Sequence, residues 1–241
     1  MTVPQRDRKP AKRQDDPRAR RIPPGRPRFI CYHEAGHCLA RWYFGHMTDR
    51  ASVLTTEQFL KAEWPVSRGG TPVPGARGIC VGYEIVSPWL AEVLRNSSGD
   101  VAVRYKDIYV SVEVELIICS AGPFAEARFR KHGKMGIFLG GGLGDLSAAE
   151  RVSNTWFPEA AQRRRAEIVA DKRASALIRS HQGWHAITAM AEALFVKGEI
   201  DGDEIESLCA AAYGQSTPRF GSWNKFWPPE TKAIRAGCLP P

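Results

Sequence analysis

Two histidines and a glutamate at the spacing H-E-x-x-H, in His33-Glu34-Ala35-Gly36-His37, carry the clearest chemistry in this sequence. In an α-helix, residues four apart share a face one turn apart, so His33 and His37 can direct two imidazoles at one cation. Glu34, one position along, points to the side where an attacking water would sit, and a carboxylate there can take that water's proton as general base. This is the chemistry of a zinc hydrolase. A helical histidine pair can also be plain surface or core. Here the flanks Ile30, Tyr32, Ala35, Leu39, Ala40, Trp42 and Tyr43 are those of a buried helix. Two histidines and a glutamate are costly in such a setting unless something pairs them. The element that must carry them is a helix over residues 29–45, ending near Gly45.

Two histidines need a further protein donor to make a zinc site. Asp145 follows the run Gly140-Gly141-Gly142-Leu143-Gly144. That run lacks the spacing to a Lys-Ser or Lys-Thr pair and the preceding parallel strand of a phosphate loop, so no nucleotide site is expected. Asp145 reads either as an ordinary N-cap of a helix beginning at Leu146 or as the third metal donor. Glu126 is another carboxylate within reach of a metal. It lies in a helical pattern from about Tyr105 to His132, whose apolar side carries Val110, Val114, Ile117, Ile118, Ala121 and Phe124. Pro123 is expected to bend or break that helix ahead of Glu126. Glu113 and Glu115 read as a solvated face.

The elements around these residues are mixed. Ala51 to Leu54 and Gly78 to Val86 have β-type composition, and the Pro- and Gly-rich residues 64–77 form a loop between them. If the second strand has a free edge beside the histidine helix, an extended peptide can pair with it; the plainer reading is a structural strand. Helices are expected over 159–180, Trp184 to Lys197 and Asp203 to Tyr213. Residues 214–241 read as an extended C-terminal segment packing through Phe220, Trp223, Phe226 and Trp227.

The 241 residues, 43% of them hydrophobic, suffice for a full core. The formal net charge is +8, but residues 1–28 carry +7 of it in a Pro- and Arg-rich stretch with few apolar residues. This predicts a disordered basic arm, a spacer or a contact for an acidic partner such as nucleic acid, and implies no nucleic-acid groove in the folded body. The six cysteines are scattered without a C-x-x-C pair, as in a reduced cytoplasmic protein. No stretch of 18 apolar residues occurs, so no transmembrane segment is expected.

Together these pieces resemble the peptidase domain of FtsH-type AAA proteases. The resemblance rests on Tyr32-His33-Glu34-Ala35-Gly36-His37, Ser120-Ala121-Gly122-Pro123-Phe124-Ala125-Glu126, Gly142-Leu143-Gly144-Asp145-Leu146, Ala191-Glu192-Ala193-Leu194 and Ile200-Asp201-Gly202-Asp203-Glu204-Ile205, in the family's order over residues 29–213. It implies zinc held by His33, His37 and Asp145, with Glu34 as catalytic base and Glu126 as a supporting residue or as the ligand in Asp145's place. It also implies a mainly helical (α+β) zincin-like bundle with a small β layer beside the active-site helix. The family carries an ATPase module and membrane helices ahead of the peptidase. No Walker motif occurs in this sequence, Gly144 stands where the family has Asn, and Pro123 replaces an ordinary helix residue. The expectation is a stand-alone, ATP-independent metalloendopeptidase acting on unfolded or flexible protein segments. The second reading is a zinc-stabilised interaction or regulatory module with weak catalysis, and the assembly state stays open.

Overall fold

Fourteen consecutive residues of the histidine helix, Ile30 to Tyr43, are buried, and its one polar stripe, His33, Glu34, His37 and Arg41, lines a cavity rather than the outer surface. A helix buried on every side lies in the middle of a protein, and the other elements assemble around this one. The computed structural model describes residues 25–83, 85, 102–133, 142–215 and 229–239. In chain order its elements are α1 (Arg28–Tyr43), β1 (Thr48–Val53), α2 (Thr56–Leu60), β2 (Gly78–Gly82), α3 (Ala102–Arg130), α4 (Leu143–Trp156), α5 (Ala160–Arg179), α6 (His181–Lys197), β3 (Glu199–Asp201), α7 (Gly202–Tyr213) and α8 (Thr231–Arg235). The protein is mainly helical with one small antiparallel sheet, in agreement with the α+β expectation.

α1 lies chiefly against α3 and α6. Gly36 permits the close approach of α1 and α3: a Cβ there would lie 2.6 Å from the Ala121 carbonyl oxygen and 2.8 Å from the Ala125 Cβ. Tyr32 stacks on Phe129 of α3 at 4.1 Å and on Trp184 of α6 at 5.3 Å, joining the three helices.

α3 corrects the expectation at Pro123. The helix runs unbroken from Ala102 to Arg130, so Glu126 is on the same helix as Ile118 rather than past a break. Proline removes one i to i−4 bond and crowds a carbonyl, at a cost of about 3 kcal/mol. Packing on both sides, against α1 and α5, outweighs that cost. Over Ile108–Arg130 this helix is long and apolar enough by length and composition to cross a membrane, which the absence of a long uncharged run did not suggest; 72% of the qualifying window is buried inside the fold. Glu113 is not solvated: it is buried and ion-paired with Arg173 of α5.

The sheet has the order β2-β1-β3, so among the described residues β2 is an edge strand. β1 pairs antiparallel with both neighbours, Ala51 opposite Cys80 on one side and Ile200 on the other. The C-terminal helices match the expected positions, with earlier starts set by caps. Ser180 Oγ accepts from the Gly183 amide, so α6 begins at His181 rather than Trp184. Asp201 caps α7 through the Glu204 amide.

Residues 214–241 are not simply extended. Thr231–Arg235 form a short helix that buries Ile234, and Tyr43 donates its hydroxyl proton to the Cys238 carbonyl. Phe220, Trp223, Phe226 and Trp227 lie outside the described residues. So does most of the basic arm, although its last two cations are engaged with the body. Arg26 donates to the carbonyls of Val53, Phe195 and Val196, and Arg28 pairs with Glu192.

Candidate metal centre

His33 and His37 project from one face of α1 with ring centroids 4.9 Å apart. Each ring has one nitrogen fixed by an acceptor. His37 Nδ1 lies 2.8 Å from the Ile118 carbonyl oxygen, which can only accept, so Nδ1 carries the proton. His33 Nδ1 lies 3.1 Å from Glu126 Oε2. With both Nδ1 atoms committed, both Nε2 atoms face the same point. There they meet Asp145, at 2.9 Å from His33 Nε2 to Oδ2 and 3.2 Å from His37 Nε2 to Oδ1. The three donor atoms all lie within 4.8 Å of one another.

Asp145 stands in the first turn of α4, whose N-cap is Gly142 and whose start is Leu143. The N-cap reading of Asp145 is therefore incorrect, because the helix begins three residues earlier than a cap at 145 requires. Its carboxylate turns to the histidines instead. Gly140 and Gly141 lie outside the described residues. Glu126 is fully buried on the far side of the His33 ring, where its Oε1 also accepts from Arg130 at 2.8 Å. This places it behind the histidine, not in the donor set.

The electrostatics are those of an anion and two imidazoles held away from water. Burial opposes charge on His33, but its hydrogen bonds to Asp145 and Glu126 outweigh that and lift its pKa to about 10. His37 is raised in the same way by Asp145 against its own burial. Burial alone would raise the Asp145 carboxyl, yet the two histidines hold it well below the ordinary carboxylate range. Such a cluster attracts positive charge, and in the absence of a cation it binds a proton. A divalent ion satisfies the same three atoms with both imidazoles neutral, so the residues present fit a metal.

Glu34 is not part of the donor set. It is buried beside the backbone of β2, where a Cβ on Gly78 would fall 2.6 Å from its Oε1. Burial raises its pKa, offset in part by His33 and His37. The carboxylate borders a cavity of about 570 Å³ whose walls include His33, His37, Asp145, the 73–80 segment and Glu115. Gly78, Ile79 and Cys80 of β2, an edge strand among the described residues, line the same cavity as the two histidines.

Three features of the site were missed in the sequence. Gly122 gives His37 its space: a Cβ would sit 2.6 Å from Cε1 of the ring. Its signal was the Ala-Gly-Pro triplet, read as a helix disturbance and as part of the family resemblance, with no role given to the glycine. The Ile118 carbonyl has no signal at all, since a backbone acceptor carries no residue type. Arg130, one turn after Glu126, was readable as an i,i+4 pair.

Compared with known proteins, the chain matches no protein-family model and no curated relative.

Proposed function

We propose that this protein is a zinc metallopeptidase that hydrolyses peptide bonds in unfolded or flexible protein segments without ATP, in a zincin-like site of the FtsH type. The observation that carries the reading is the orientation of the two histidines, each with Nδ1 tied back to α3 and Nε2 turned to Asp145, beside an uncommitted buried glutamate on the cavity wall.

His33, His37 and Asp145 hold the ion and Glu126 orients His33, as outer carboxylates do for metal-bound imidazoles. Zinc supplies Lewis acidity, polarising a carbonyl and acidifying a water to a pKa of about 7. Glu34 removes the proton from the attacking water at its carboxylate and returns it to the leaving amine. Its burial-raised pKa suits both halves of that transfer. The edge of β2 aligns an extended chain by backbone pairing, which requires the substrate to be unfolded locally. The cavity is a trough for such a segment, and the hydrolysis uses no nucleotide.

The test is metal content and cleavage measured together. Elemental analysis of the purified protein is expected to give one zinc per chain, sharply reduced in Asp145→Ala and His37→Ala. Cleavage of a labelled unfolded casein is expected to stop on chelation and return with added zinc. Zinc retained in full by both variants would sink the assignment of donors.

A further inference from the structure

β2 is laid along α1 in step. Gly78, Cys80 and Gly82 face the helix, and they meet Ile30 with Glu34, then Cys38, then Arg41. A Cβ on Gly78 would lie 2.8 Å from Ile30 Cγ2, and one on Gly82 would lie 2.6 Å from Arg41 Cζ, so two of the three positions have room only for hydrogen. The third carries a thiol. Cys80 Sγ lies 3.6 Å from Cys38 Sγ, one residue past the metal-binding His37. Cys38 is fully buried, whereas Cys80 is half-buried and forms part of the cavity wall, where a small oxidant can reach it.

We propose that Cys38 and Cys80 are a reversible disulfide site, closed by a peroxide, which clamps the edge strand to the helix that carries the metal site. The Cys80 sulfur attacks one peroxide oxygen; the O–O bond breaks, the first water leaves, and Cys80 becomes a sulfenic acid. The Cys38 sulfur attacks the sulfenic sulfur; the S–O bond breaks and the second water leaves with the Cys38 proton. Two thiols lose two electrons and one peroxide is reduced to two waters. A dithiol reverses the bond by exchange.

Closing the bond brings the sulfurs from 3.6 Å to about 2 Å. α1 is held between α3 and α6, while β2 is an edge strand among the described residues, so the strand is the part that moves. Its motion presses Gly78 toward Glu34, where there is no room even for a Cβ. The effect on catalysis rests on the peptidase reading; the disulfide itself does not.

The experiment uses the zinc-loaded full chain exposed to stoichiometric hydrogen peroxide, then alkylated and mapped without reduction, with casein cleavage measured before, after, and after dithiothreitol. A linked Cys38–Cys80 peptide lacking two hydrogens is expected. Cleavage is expected to fall by about tenfold or more, as for ångström-scale misplacement at a reacting site, and to recover with dithiothreitol. In Cys38→Ala and Cys80→Ala the ratio of treated to untreated rates should stay near one. Absence of the linked peptide, or oxidation of Cys80 beyond sulfenic acid with Cys38 still alkylated, overturns the disulfide. A linked peptide with an unchanged rate overturns the clamp. If the reduced protein cleaves nothing, the peptidase reading fails by itself and the map alone decides the disulfide.

Discussion

His33 is held between two carboxylates that act on opposite nitrogens. Asp145 faces Nε2, where a metal would bind, and Glu126 faces Nδ1, where it orients the ring. Replacing Glu126 by Gln keeps the shape but weakens this second contact, so metal affinity is expected to drop about 10- to 100-fold with the fold retained. Competition with a chromogenic chelator measures this, and an unchanged affinity would remove Glu126 from the site. The histidine also sets a pH dependence. Its pKa in the metal-free protein, about 10, stands above its ordinary 6.5. The stabilisation from its protonated form is therefore complete below 6.5 and is lost as pH rises through about 10. The metal-free protein should accordingly lose thermal stability over that window. A metal competes with the same proton, so apparent zinc affinity should climb with pH over the same range and binding should release protons. Calorimetric titration in buffers of different ionisation enthalpy detects the release; no buffer dependence would contradict it.

At the scale of elements, the site depends on how closely α1 and α3 approach. The residues that allow this are glycines, and their role is not evident from residue type. Gly122→Ala drives a methyl group into the His37 ring. The expected result is a loss of about 1–3 kcal/mol of stability, typical of overpacking, together with weakened zinc binding. A stable variant with full zinc affinity would show that α3 can shift without disturbing the ring. What could be read from the sequence at this scale follows from periodicity and caps. α1, α5, α6 and α7 carry sustained helical patterns and were placed to within a few residues. α2 was missed even though Thr55 and Gln58 form a capping box, because only five residues follow and no apolar period can build up. β3 was missed because three residues flanked by helices, although they alternate exposed-buried-exposed, are too few to read as a strand pattern. The path of α3 through Pro123 was misjudged because tertiary packing, which no local pattern reports, outweighs one lost backbone bond.

Over the whole molecule, the proposed metal site joins parts of the chain that are distant in sequence. His33 and His37 are near the start and Asp145 follows more than 100 residues later, reached through segments outside the described residues. Zinc bound there would contribute to the stability of the folded state, and chelation should lower the melting temperature of the wild-type protein. In Asp145→Ala the same chelator should produce little or no shift, as followed by differential scanning calorimetry. Equal shifts in both would place the stabilising ion elsewhere. The two histidines and Glu34 were legible at the outset because metal and proton chemistry use few residue types at fixed spacing, whereas Asp145, more than 100 residues away, was marked as a ligand only by the family resemblance. The choice between Asp145 and Glu126 was not legible, since it depends on which imidazole nitrogen each carboxylate meets. That is a property of the packed helices and not of any one stretch.

On the proposed reading, Glu34 moves the proton in a zinc-dependent peptide hydrolysis. The most direct measurement is the cleavage rate of labelled unfolded casein by wild type and Glu34→Gln, both loaded to the same zinc content. The predicted result is a loss of about 100- to 10,000-fold in the variant with zinc binding unchanged. Equal rates, or no cleavage by the zinc-loaded wild type, would contradict the claim and leave a metal centre that serves binding instead.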